Sequence, residues 1–297
     1  MPVCPEGESM PDPKSSASPS SHPRSLDLAA AKKRLDAFVA IVKNAVSVAR
    51  QHAGPVGNNS VVVDRTGKSY STINAALASI TDASQQKQYV LLIGAGTYTQ
   101  VLTCKSWVFL SGAGREQTLI TAMTESNAAV PATITAASHS AVQDCTVRAT
   151  TQGLGASVTA VLCQGAFDFD VENCQLLAVA SNQKNVTGIT LDSGEDPSGL
   201  HVNIAYTTVT ATGGGKPIAI SADNGAFGHG MQSTFIAEKG SVPGVGGFAG
   251  NGSALLVEDC SVQGAAYSLY KDEGTSSITA DQCKLTGPVG PGVVVNP

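Results

Sequence analysis

The sequence predicts an all-β chain: a right-handed parallel β-helix, or solenoid, over residues 55–297, preceded by an amphipathic helix over residues 25–54 and a flexible arm over residues 1–24. Three observations carry that reading. Charged residues make up 14% of the chain and aromatics 5%, against 31 glycines, a composition suited to small side chains stacked in a narrow interior. Short apolar runs alternate with glycine-bearing turns from Ser60 onward. Five segments of the C-terminal half repeat one pattern at the spacing of a β-helix coil.

The arm holds six prolines and many serines, a mixture that buries too little apolar surface to offset the entropy of ordering. From Ser25 the pattern turns helical, with Ser25 as cap and Gly54-Pro55 as stop. Leu28, Leu35, Val42 and Ala49 fall seven apart, with Ala31, Phe38 and Ala45 three later, which makes an a/d stripe. That stripe must pack, either by capping or flanking the β domain or as a short coiled coil between protomers. Ser60 to Val63 then reads as a strand, Asp64 to Gly67 as a turn and Thr72 to Ile80 as a short helix. Further strands are expected at Tyr89 to Ile93, Ser106 to Leu110 and Thr118 to Ala122.

The repeat is marked by turn glycines at Gly165, Gly194, Gly225, Gly252 and Gly274, separated by 29, 31, 27 and 22 residues. Each is followed by a strand and then by a small residue: Cys174, Thr207, Thr234, Cys260 and Cys283 lie 9, 13, 9, 8 and 9 positions on. The long second offset implies an insertion at Glu195 to Ser198. Cys145 sits at the same point of an earlier segment, so these six residues are expected to stack as an interior ladder at the roughly 4.8 Å spacing of neighbouring strands. The cysteines then read as small buried hydrophobes, and a Cys260–Cys283 disulfide is the minor alternative because distance alone does not supply its torsion.

Several classes of function are disfavoured. A net charge of −5 offers no basic field for a phosphate backbone, so nucleic acid is not an expected partner. The longest apolar run, Ala37 to Val42, is far short of the ~20 residues that cross a bilayer, and no membrane is implied. The N-terminus lacks the basic start and apolar stretch of a Sec-type signal, which implies synthesis in the cytoplasm. Seven cysteines without a paired C-x-x-C imply neither a zinc site nor a complete disulfide framework, and no cofactor is expected.

Asp192, Asp223 and Asp272 each precede a turn glycine by two residues and are the candidate binding residues. A column of carboxylates could hold a cation or act on a sugar. Asp, Asn and Gly are also common turn formers, and Gly250 interrupts the column. His201 and His229 stand alone, without a Ser-His-Asp order or an H-E-x-x-H spacing, and are expected at the surface. Gly213-Gly214-Gly215-Lys216 lacks the residues that complete a P-loop and reads as a loose turn. Tyr206, Tyr267 and Tyr270 could stack on a glycan.

SVVVDRTGKSYSTINAALASI from Ser60, YVLLIGAGTYTQ from Tyr89 and VFLSGAGREQTLITA from Val108 resemble, in order and spacing, the first coils of the pectin methylesterases. The resemblance implies the pectin lyase-like β-helix. It also implies ester hydrolysis by an aspartate nucleophile, a second aspartate as acid and base, oxyanion-binding glutamines and a positioning arginine. Aligned residue by residue, those groups are not found here. VTAVLCQG puts Thr159 at the first glutamine. The glutamine-aspartate pair becomes Ala180-Ser181 in one alignment, or its aspartate becomes Ile189 in another. Ser221 falls at the second aspartate, and the Gly-Arg-Pro-Trp segment has no counterpart.

The expectation is therefore a non-enzymatic β-helix for structure or attachment, such as a virion, tail or surface-appendage component, that self-associates or joins a larger assembly through residues 1–54. A carbohydrate-active enzyme using Asp192, Asp223 and Asp272, or a module that binds a polysaccharide without turning it over, is the alternative.

Overall fold

A computed structural model describes residues 59–66, 69–124, 132–151, 157–165, 168–181, 185–194, 200–238, 240–272 and 274–297. The expected arm, the amphipathic helix and the insertion at Glu195 to Ser198 lie outside the described residues.

The chain winds through three sheets of ten, seven and eight strands, with every ladder parallel. One coil shows the rule. Val158–Gln164 lies in the seven-stranded sheet, Phe169–Glu172 in the ten-stranded and Gln175–Ala180 in the eight-stranded; Val186–Asp192 then returns beside Val158–Gln164. This is the parallel β-helix that the repeat predicts. Each strand is too short to bury a face alone, so the interior forms only when coils stack.

A single helix, Ile73–Ser79, stands within the described residues. Thr72 caps it, its Oγ1 accepting from Ala75 N at 3.1 Å. Ile73, Ala76 and Leu77 fall on one face and join the interior cluster, which closes the first end of the stack. The strand expected at Ser106 to Leu110 runs instead over Val108–Gly112, because Trp107 turns the corner at φ 65°.

Along the ten-stranded sheet Leu91, Leu110, Val142, Val171 and Ile204 stack in register and are buried. Each such aliphatic side chain contributes about 1.5–3 kcal/mol on leaving water. The next member of the column is Gly230, where a Cβ would lie 2.9 Å from the ring of the fully buried Phe235. Glycine makes room here for the fully buried Phe235 ring.

The interior ladder exists with one correction: its fourth member is Ser233, and Thr234 is the following residue, paired with Thr208 and half-buried. Cys145, Cys174, Thr207, Ser233, Cys260 and Cys283 occupy equivalent points. The hydroxyl or thiol of each of the last five donates to the carbonyl two residues earlier. Along the ladder Thr207 Oγ1 also accepts from Cys174 N at 3.2 Å, Ser233 Oγ from Thr207 N at 3.1 Å and Cys283 Sγ from Cys260 N at 3.4 Å, each from the coil before. A small residue that both donates and accepts is what this corner demands. The misplacement arises because Gln164 pairs with Asp192, so Gly165 stands one register position earlier than Gly194 and Gly225. All cysteines described are free, and Cys145 Sγ lies 3.9 Å from Cys174 Sγ.

Candidate functional site

The outer face of the seven-stranded sheet collects the candidate residues. In its strands alternate positions point outward, and the register stacks Leu162, Thr190, Ser221, Phe248 and Tyr270 in one outward column. Gln164, Asp192 and Asp223 form the next. Gly250 and Asp272 continue it, following Ala249 and Lys271, which are themselves paired. All three predicted aspartates thus stand on one edge, with Gly250 between Asp223 and Asp272.

Their oxygens are engaged by the turns. Asp192 Oδ1 accepts from Gly194 N and from Asn224 Nδ2 of the next coil, both at 2.9 Å. Asp223 Oδ1 accepts from Asn224 N at 3.0 Å and from Asn251 Nδ2 at 2.6 Å. Asp272 Oδ2 accepts from Asn251 N at 2.7 Å, and the hydrogen bond from Ser276 holds its carboxyl below the usual range. Asn224 and Asn251 turn at φ 54° and 50°, a conformation asparagine tolerates, so each can reach back one coil.

Beside this edge lies an aromatic cluster that sequence reasoning assembled only in part. Phe248 and Tyr270 stack with centroids 6.0 Å apart and an interplanar angle of 16°, and Tyr267 lies 4.9 Å from Tyr270. Lys216 Nζ stands 5.8 Å from the Phe248 centroid and 6.0 Å from that of Tyr270, within cation–π range. The Gly213 to Lys216 turn, at φ 78° and 62° for Gly213 and Gly214, delivers that lysine. Tyr206 is elsewhere, half exposed at a corner of the coil. Phe248 went unnoticed because it is a lone aromatic in a glycine-rich segment, and only the coil register brings it beside Tyr270.

A second polar group, unforeseen in the sequence, lies on the outer face of the ten-stranded sheet. Asp170, Asn203 and His229 occupy one column in successive coils. Asp170 Oδ1 accepts from Asn203 Nδ2 at 2.8 Å, and burial pushes the Asp170 carboxyl up to about 6. His229 Nε2 lies 2.6 Å from Glu258 Oε2. His229 is only 4% exposed, which corrects its expected place at the surface. His201 is half-buried, its ring 5.4 Å from that of Phe227.

Comparison with known proteins sets this geometry in context. The family model for Pectinesterase matches residues 59–153. No curated protein matches the sequence. Pectin methylesterase from Aspergillus niger superposes with a TM-score of 0.52 at 14% identity, over 82% of this chain and 81% of that one. The chain has the pectin methylesterase fold. The enzymes from carrot (17% identity, 82% of this chain and 90% of that one, TM-score 0.45) and rice weevil (15%, 78% and 79%, 0.47) are also similar.

Within the pectin methylesterase fold, the positions that the resemblance aligned with catalytic groups can be located. Thr159, Ile189 and Ser221 lie on the seven-stranded sheet. Ala180 and Ser181 lie at the end of a strand of the eight-stranded sheet. The Ile189 alignment alone therefore keeps the three positions on one sheet. Thr159 is 6% exposed and Ile189 fully buried, whereas Ser221 faces outward directly beneath Phe248.

Proposed function

We propose that this chain is a non-enzymatic attachment protein that binds an acidic polysaccharide on the outer face of its seven-stranded sheet. The observation that carries the reading is the cluster of Phe248, Tyr267 and Tyr270 with Lys216 above it. Flat aromatic faces suit the apolar faces of sugar rings, and the ammonium suits a sugar carboxylate. The pectin methylesterase fold makes galacturonate polymers the first to try. The residues aligned with the catalytic carboxylates are Ser181 or Ile189 and Ser221, none of which can act as an activated aspartate, which favours binding without turnover.

Titration calorimetry with polygalacturonate, and with methyl-esterified pectin, tests the proposal. Binding should weaken at least tenfold in Tyr270→Ala and should weaken with salt in the wild type, because the lysine contact is electrostatic. Methanol release from esterified pectin should not exceed a buffer blank. Undiminished binding by Tyr270→Ala would overturn the placement of the site.

A second reading rests on Asp192 and Asp223, neighbours in register on the same edge. If they cleave sugars, release of reducing ends will be measurable and will be lost in Asp223→Asn.

A further inference from the structure

We infer that Cys260 and Cys283 are a redox-modification site, which a disulfide oxidant joins in a reversible bond that fastens the last coil to the one before. The two residues are already stacked. Glu258 pairs with Asp281 before the corner and Ser261 with Lys284 after it, so the corner residues lie one strand step apart, about 4.8 Å. Asp259 and Gln282 both turn at φ 51°, so the two corners turn alike. Cys283 Sγ lies 3.4 Å from Cys260 N and 3.2 Å from Val257 O, both in the preceding coil. Disulfides span Cα separations of about 4.4–6.8 Å, so a single strand step is within their reach.

Access singles out this pair. Cys145 and Cys174 are also stacked, with Sγ atoms 3.9 Å apart, but both are buried. Cys283 is the last member of the ladder. Lys284–Thr286, which follows it, is the edge strand of the eight-stranded sheet, and the Cys283 side chain is half-buried. The hydrogen bond with Cys260 brings Cys283 down to about 7, so near neutrality much of it is thiolate, the form that attacks a disulfide. Cys260, raised by the same hydrogen bond and by burial, is 2% exposed and lies behind it.

Oxidised glutathione is a sufficient oxidant. The Cys283 thiolate attacks one sulfur of its S–S bond, forming a mixed disulfide and releasing a glutathione thiolate. Cys260 Sγ then attacks the Cys283 sulfur, and its proton passes to the departing glutathione sulfur. Two protein thiols lose two electrons and one glutathione disulfide gains them, and excess reduced glutathione reverses both steps. The closed segment, residues 260–283, carries Tyr267, Tyr270 and Asp272. The bond therefore ties down two of the three rings of the aromatic cluster, whatever those rings bind.

Incubating the full chain, carrying Cys4→Ser, with oxidised glutathione tests this. After free thiols are blocked and trypsin has cut at Lys239, Lys271 and Lys284, peptides 240–271 and 272–284 should be joined and should separate on reduction. Cys145 and Cys174 should stay free. Cys260→Ser should stop at glutathione held on Cys283, and Cys283→Ser should take up glutathione at least tenfold more slowly than Cys260→Ser. Serine already fills the equivalent corner at Ser233, so both variants keep the fold. The oxidised chain should unfold at a higher urea midpoint than the reduced one, and an unchanged midpoint would overturn the fastening. Peptides that do not join in the folded chain would overturn the inference, as would a Cys283 that keeps its glutathione while Cys260 stays free. Joining of Cys145 to Cys174 at the same rate would also overturn it, since the bonds would then form in unfolded chains.

Discussion

The Asn251 amide donates to Asp223 Oδ1 of the preceding coil at 2.6 Å, and Asn224 makes the same bond to Asp192 one coil earlier. Each aspartate is thereby a clip between successive turns. Gly225, which follows Asn224, sits at φ 79°. Asp223→Ala should cost about 0.5–1.5 kcal/mol, the net worth of an ordinary hydrogen bond. Gly225→Val should cost about 1–3 kcal/mol, since a β-branched residue resists that backbone conformation. Thermal melting by circular dichroism gives the order, and equal small shifts would remove the clip and the turn together.

Ser233 and Thr234 differ sharply despite their adjacency. Ser233→Ala removes the acceptor for Thr207 N and the donor to Met231 O in a dry corner, a loss of about 1–3 kcal/mol. Thr234→Ala, on a half-buried strand position, should stay below about 1 kcal/mol. Chemical denaturation of the two variants distinguishes them, and a larger loss for Thr234 would refute the register of the ladder.

Asp170 makes stability depend on pH. Its folded pKa of about 6 lies above the ordinary 3.8 because burial disfavours the ion, so the folded chain binds this proton more tightly than the unfolded chain. The associated stability is fully present below about pH 4 and is lost as pH rises through about 6. Asp170→Asn, which keeps a neutral acceptor for Asn203, should therefore gain in melting temperature relative to wild type between pH 4 and pH 7. Parallel curves across that range would show that Asp170 does not titrate there.

Cys283 should be the first of the described cysteines to be alkylated in the native protein. It is half-buried, and the hydrogen bond with Cys260 brings it down to about 7, while burial lifts Cys104 to about 12 and Cys163 well above its usual value. Iodoacetamide labelling followed by peptide mass mapping reads the order. Simultaneous labelling of Cys104 and Cys283 would mean that the interior opens.

The coil period was legible because a turn glycine and a small ladder residue recur together, a constraint that stacking imposes on every turn. Helix Ile73–Ser79 was legible from Thr72 and the spacing of Ile73, Ala76 and Leu77. The ladder slipped at Ser233 because two neighbouring small polar residues both fit the pattern, and only register tells inward from outward. The aromatic site was half legible: Tyr267 and Tyr270 share a segment, but Phe248 and Lys216 arrive from other turns. His229 misled because a polar residue on a solenoid's outer face is ordinarily wet.

The two ends of the stack are unlike. Helix Ile73–Ser79 closes one, while at the other Val294–Asn296 adds a last strand to one sheet only and leaves Val294 and Val295 53% and 46% exposed. A strand edge is a template for another chain, and unlimited fibre growth needs such a template at both ends of every copy. About two turns of helix stand between the interior and solvent at the first end, and deleting Ile73–Ser79 should bare apolar surface there and favour association through it.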